Sequence, residues 1–561
     1  MIFPGSGKTR IIPRFGWNCQ SLRQDAIHTL RPGEIDLAAG LFRSTATIGA
    51  MTLISRILGF VRDMVLARVF GAGMATDAFF VAFKLPNFFR RLFAEGAFTP
   101  AFVPVFTEYK DQGTPHQLRE LLAAVSGVLL AVVAGVTVLG IVGAPVLVAV
   151  FGAGWHDEPA KTALATDLLR VTFPYLLFIS LVAMAGSALN TFGRFAAPAF
   201  TPVLLNVAMI VAALWAAPDF DRPIEALAWG VFAGGAVQLV FQWPFLKRLG
   251  LAVRPRLRPG HPEVRRIARL MGPSVLAVSV VQISILIDTI LATFLAEGSV
   301  SFLYYADRLA QFPLGVFGIA LGTAILPTLS SLAGQGEDAD FSRTLDRALR
   351  LIVTIGLPAT VALILLGRPI LAALFQYGAF TADKAALTQQ ALAAYAVGLI
   401  GMIGVKVLAP AFYARQDTRT PFRAAAWALV GNIGLNLLLI VPLAHAGLAL
   451  ATGLAAFLNA GLLLWRLVRA ELFHPEPGWW GHLGRVTAAV AVMGLVAWGL
   501  SPPVAAWNAA DAWLRVGWLA GLVAAAGAAY GVAAWGFGVA EARQAPHWLR
   551  RRLFDGRSGG D

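Results

Sequence analysis

Apolar runs of about 20 residues, the length that carries a helix across a bilayer, recur along the chain with short polar stretches between them. Fourteen spans are predicted, near 44–70, 75–92, 120–151, 162–188, 197–217, 224–246, 269–296, 299–320, 346–368, 386–413, 422–443, 446–467, 483–501 and 514–538. The runs are continuous rather than alternating, which favours helices over a β-barrel. The fold class this pattern predicts is an all-α polytopic membrane protein.

The polar stretches alternate in charge. The connection after the sixth span, "KRLGLAVRPRLRPGHPEVRRIAR", carries eight basic residues and one acid. "YARQDTRTPFR" after the tenth span and "APHWLRRRLFDGR" after the last also have an arginine excess. The opposite set, "GAGWHDEPAKTALATD", "PDFDRPIE" and "FQYGAFTADK", is acidic or neutral. Basic loops stay on the cytoplasmic side, so this alternation predicts a multi-pass protein with both termini cytoplasmic.

The pattern also repeats. "RDMVLARVFGAG" from Arg62 matches "IDTILATFLAEG" from Ile287 at an offset of 225 residues. "FGAG" at Phe151 faces "FQYG" at Phe375, and Pro198 faces Pro421, at offsets of 224 and 223. Six spans separate the copies, an even number, so the two halves share one membrane orientation. That is a parallel repeat of the kind found in transporters, with a site between the halves near the midplane. The expected organisation is a polar basic extension over 1–43, six-helix halves over 44–248 and 249–472, two extra spans over 473–540, and a basic tail over 541–561.

Composition agrees with this class. The 561 residues are 58% hydrophobic and 14% charged, with a mean hydropathy of +0.70; soluble domains carry about 25% charged residues. The net charge of +14 reads as cytoplasmic loops rather than nucleic-acid binding. One cysteine, Cys19, and eight histidines without ligand spacing give no basis for a disulfide or a metal site, and no cofactor is expected. "GSGKT" at Gly5 to Thr9 is not a phosphate loop: the pattern needs glycine where Ile2 stands, and no strand precedes it.

Charges inside the spans are the informative exceptions, since each costs about 2.5–3.5 kcal/mol at the bilayer centre. Arg56 lies midway through the first span, followed by Arg62 and Asp63. Asp77, Lys84 and Arg91 are spaced by seven in the second span, which predicts one helical stripe. Pro86 should kink that helix. Asp288 matches Asp63 through the repeat, and Asp307 and Arg308 lie deep in the eighth span. Alternatives remain open for several of these. Arg90 and Arg91 fit inner-end anchors as well as a cavity, Asp77 fits a helix start as well as a site residue, and Asp63 and Asp288 fit structural ion pairs. Arg56, Arg62 and Arg308 are too deep to snorkel. Arginine grips phosphate or carboxylate bidentately, so with Lys84 the cavity favours an anionic, phosphorylated substrate despite Asp63, Asp77, Glu95 and Asp307.

"SRILGFVRDMVLARVFGAGMATDAFFVAFKLPNFFRRLFAEGAFTPAFVPVF", from Ser55 to Phe106, closely resembles the opening of the MurJ (MviN) lipid II flippases. "GSVSFLYYADRLAQFPLGVFGIALGTAILPTLS", "LFQYGAFTA" and "KVLAPAFYARQDTRTP" resemble the same family further along. The resemblance covers roughly residues 40 to 540. It implies membership of the transporter superfamily that includes MATE-type exporters and O-antigen flippases. The implied cargo is lipid II, the undecaprenyl-diphosphate-linked peptidoglycan precursor, moved from the inner to the outer leaflet of the bacterial plasma membrane. The family's cavity arginines match Arg56, Arg62, Arg90 and Arg308, its important acid matches Asp77, and Asp63 and Glu95 fall on motif positions. Spans 13 and 14 correspond to the family's extra pair, implied to accept the lipid tail. With no nucleotide motif, a membrane potential or a Na+ or H+ gradient is left as the driver.

The expected partners are thus lipid II, membrane lipids and the cell wall synthesis machinery, with no nucleic acid. Rival readings are an exporter of another cargo on the same fold, a drug/cation antiporter or an O-antigen flippase, or a membrane scaffold for wall synthesis. The positive cavity argues against a cation carrier. A scaffold gains nothing from deep arginines.

Overall fold

Residues 32–543 are described in the structure, a computed structural model; they form helices joined by short loops, with no strand among them. Ten helices or helix runs are long and apolar enough to cross a membrane. One of these, Arg419–Arg469, is two arms: Ala444 takes φ 48° and ψ −130° and turns the chain between predicted spans 11 and 12. Predicted spans 1, 2 and 7 lie on Pro32–Phe70, Met74–Phe89 and Pro262–Thr293, outside those ten, Met74–Phe89 being 16 residues long. A count of fourteen is consistent with this arrangement.

Two expectations are corrected. Residues 32–43, placed in the polar basic extension ahead of the first span, begin the Pro32–Phe70 helix. Pro32 suits a first helical position because its missing N–H would have had no partner there. Residues 1–31, with Cys19 and the "GSGKT" stretch, lie outside the described residues, as does the tail beyond 543. The second span is also longer than 75–92: its helix passes through a π-helical segment, Arg90–Phe98, into Thr99–Gln112.

The π-helical segment recurs in the second half. Ser299–Pro313, 225 residues after Met74–Phe89, runs into the π-helical Leu314–Gly318 and then Ile319–Gln335. Wide turns of this kind often mark functional positions inside helices. Pro86 also leaves its trace here. It cannot donate to the Ala82 carbonyl, and that carbonyl accepts from Thr172 Oγ1 at 3.4 Å instead.

The loops gather at two ends. At the basic end, Arg256 N–H donates to the Ala123 carbonyl, Arg415 pairs with Asp338 and Lys110 donates to the Thr191 carbonyl. At the far end the halves meet backbone to backbone, with Ala379 N–H donating to the Arg68 carbonyl at 2.9 Å. Gly71 and Gly378 permit that approach. Both have positive φ, and a Cβ on either would stand 2.4 Å from a carbonyl oxygen of the other half.

The last two long helices, Trp479–Leu500 and Ala512–Gly536, pack on Asp338–Leu374 through Val486, Val490, Met493, Leu522 and Ala526. Arg515 fixes the far-end turn of this hairpin. It donates to the carbonyls of Ala372, Gln376, Asn508 and Ala510 at 2.9–3.2 Å.

Candidate functional site

A cavity of about 770 Å³ lies between the halves, on the basic-end side of their far-end contact. Arg56, Arg62, Arg90 and Arg308 all line it, together with Arg91 and Lys406. Asp63 is the single acid among the described lining residues. Neutral donors and acceptors complete the wall, among them Asn206 and Gln242. The excess of fixed positive charge suits an anion, and the guanidinium forks suit phosphate oxygens.

At its deepest point the cavity is braced by a cluster spanning both halves. Arg62 Nε and Nη2 donate to Asp63 Oδ1 at 3.0 and 2.7 Å, and Nη1 donates to Asn206 Oδ1 at 2.9 Å. From the second half, Tyr304 Oη donates to Asp63 Oδ1 at 3.0 Å. Arg308 Nε stands 3.6 Å from Asp63 Oδ2, and its guanidinium lies over the Tyr304 ring, 5.0 Å from the centroid. Asp63 is 2% exposed, so its charge is met by two arginines rather than by water. Arg308 keeps a third of its side chain open to the cavity.

Arg56 reaches across to the second half. A Cβ on Gly315, in the π-helical Leu314–Gly318 segment, would stand 2.2 Å from Arg56 Nη1. Arg90 Nε donates to Asn87 Oδ1 at 3.1 Å, one turn back on its own helix.

The predicted stripe Asp77, Lys84, Arg91 divides among different surroundings. Lys84 does not line the large cavity. It faces a smaller one of about 180 Å³, shared with Arg91, Asp288, Asp307 and Arg308, and donates to Thr289 Oγ1 at 2.8 Å. Arg91 and Arg308 stand in the wall between the two cavities. Asp307 accepts from Gln311 Nε2 at 2.5 Å. Asp77 lies in neither cavity. Glu95 sits in the π-helical segment, and its side chain is outside the described residues.

Asp77 instead joins the halves at the far end. Its carboxylate accepts from the Gly298 and Ser301 amides at 2.7 and 2.9 Å and from Ser301 Oγ at 2.6 Å. Between this point and the cavity lies an aromatic plug. Phe80 stacks on Tyr304 with centroids 3.9 Å apart, and Phe60, Phe375 and Tyr305 pack edge-on or tilted beside them. Tyr305 Oη donates to the Gly71 carbonyl at 3.2 Å.

The repeat-related acids have diverged in company. Asp288 is held by neutral partners: it accepts from Asn436 Nδ2 at 2.6 Å and Thr452 Oγ1 at 3.2 Å. Sequence reasoning missed Asn206, Gln238, Gln242, Asn436 and Lys406. Each is a polar residue inside an apolar span, and Gln238 and Gln242 share one helix face, both donating to Thr201. The sequence carries that signal, because a polar side chain inside an apolar span needs a partner or a wet cavity.

Comparison with known proteins places this arrangement. The profile of the family described as Lipid II flippase MurJ matches residues 66–524. The probable lipid II flippase MurJ of Haemophilus influenzae is 44% identical over 494 residues, covering 86% of this chain and 97% of its own length. That of Vibrio cholerae is 44% identical over 505 residues, covering 89% and 96%. A solved lipid II flippase MurJ in an inward closed conformation superposes with a TM-score of 0.74 at 25% identity, covering 88% of this chain and 98% of that one. An inward-facing MATE family multidrug transporter shares the fold alone, at a TM-score of 0.61 and 16% identity over 74% of this chain and 95% of that one. On sequence and fold together, the chain belongs to the MurJ family of lipid II flippases.

Proposed function

We propose that this protein carries lipid II, the undecaprenyl-diphosphate-linked peptidoglycan precursor, from the inner to the outer leaflet of the bacterial plasma membrane by alternating access. The observation that carries the reading is a cationic cavity between the two halves, closed at the far end by Asp77 and the aromatic plug. Arg56, Arg62, Arg90 and Arg308 receive the diphosphate, and the neutral wall residues receive the sugar-peptide head. Such a head group cannot cross hydrocarbon alone, because each unpaired polar group costs several kcal/mol. The polyprenyl tail stays in lipid, beside the hairpin of the last two long helices.

The basic end faces the cytoplasm in this reading, where the cavity loads. Parting of the far-end seam then exposes the same arginines to the outside, by rocking of the halves. No covalent step occurs. Membrane potential drives the cycle, at about 2.3 kcal/mol per charge moved through 100 mV, or a Na+ or H+ gradient does so.

Complementation tests this in cells. Bacteria depleted of their own lipid II flippase are expected to keep growing and hold their shape when this chain is expressed, and to lyse with Arg308→Ala. Lysis with wild-type protein that is shown to be inserted in the membrane would reject the assignment.

A further inference from the structure

Two carboxylates cross the far-end seam, one from each half, and each caps the start of a helix in the other. Glu297 Oε1 accepts from Met74 N–H at 2.7 Å, and Asp77 holds Gly298 and Ser301 as described above. Both helix starts offer amides that lack partners within the helix, together with the positive end of the dipole. The two acids differ in what awaits them when the halves part. Glu297 is exposed and passes into water. Asp77 is 2% exposed, and a buried carboxylate that loses its donors is strongly disfavoured.

One cation stands ready for Asp77 in its own half. Lys161 Nζ lies 3.7 Å from Asp77 Oδ2 and 3.6 Å from Glu158 Oε2. It sits 4.6 Å from the centroid of the Trp155 ring. At 1% exposure it is too enclosed to swing out to solvent. Its helix, Pro159–Thr172, packs along Met74–Phe89, so Lys161 and Asp77 lie on two helices of the same half packed against each other. Among the described residues Glu297 has no such ion pair and, being exposed, needs none.

We propose that Lys161 is a positioning residue of the far-end gate: it serves as the in-half counter-ion that keeps Asp77 charged and in place when Asp77 releases the Ser299–Pro313 helix. Asp77 then exchanges partners instead of being stranded, and the gate opens and recloses on the same carboxylate. Without Lys161, every strong donor to Asp77 lies across the seam, and the closed state is favoured. The proposal rests on the alternating-access reading.

Spin labels at two exposed far-end positions, Asp157→Cys in the first half and Asp383→Cys in the second, report the seam directly in a Cys19→Ser background. Pulsed dipolar distances are measured in liposomes with and without an imposed potential. Wild type is expected to show a short and a long population. Lys161→Met should reduce the long one at least tenfold, and Lys161→Met with Asp77→Asn should restore it, because the stranded charge is gone. A long population unchanged in Lys161→Met, or a double variant that stays closed, overturns the proposal. If Lys161→Met does not fold, Lys161→Arg keeps the charge and is expected to show both populations; a single population in it overturns the proposal equally. A single distance in wild type under every condition would instead defeat alternating access itself.

Discussion

Asp63 and Arg308 touch each other yet answer to different demands. Asp63 is buried between Arg62, Tyr304 and Arg308, and removing one partner of a buried pair typically costs about 3–5 kcal/mol. Asp63→Ala should therefore lower the thermal unfolding midpoint of the purified protein clearly. Replacing Arg62 and Asp63 together by leucine should cost less than the sum of the single changes. Arg308→Ala keeps Asp63 paired with Arg62, so it should unfold close to wild type while losing transport. An Asp63→Ala protein as stable as wild type would show that the cluster is wet and loosely coupled. The sequence marked these residues because a charge deep in an apolar span is expensive. It could not separate brace from contact, because that depends on which side chains from the other half arrive beside them.

Helices and their ends account for the rest of what the sequence concealed. Apolar length located the spans, since hydrocarbon admits few alternatives, but charge hid the start of Pro32–Phe70 and the extension of the second span to Gln112. A spacing of seven put Asp77, Lys84 and Arg91 on one stripe, and the other half then gave them different neighbours. Lys161 belongs to the polar stretch "HDEPAK", which reads as a loop; only the fold turns it inward. Two predictions belong at this scale. Gly378 has φ +56°, and a Cβ there would meet the Arg68 carbonyl at 2.4 Å, so Gly378→Ala should prevent the far-end loops from closing. The 157/383 label pair would then report the long distance alone; an unchanged distribution would show that the loops do not set the seam. Arg515 satisfies four carbonyls at the hairpin's turn, and hydrogen bonds to a charged group contribute about 1.5–3 kcal/mol each. Arg515→Met should destabilise the protein by more than about 2 kcal/mol and make the 501–511 loop sensitive to protease. Resistance equal to wild type would mean that apolar packing alone docks the hairpin.

For the molecule as a whole, two related halves close on one another at one end and leave a cationic chamber toward the other. The repeat was legible from three weak sequence matches, and the paired π-helical segments, 224 residues apart at Arg90 and Leu314, give it a physical mark. In the function proposed above, this chamber carries a diphosphate-linked head group across the bilayer. The most direct measurement places labelled lipid II in one leaflet of liposomes containing the purified protein and follows its arrival in the other, with and without an imposed potential. Wild type should transfer the label and Arg308→Ala should not, at equal protein and equal stability. Equal transfer by both, or none by folded wild type under any gradient, would contradict the account.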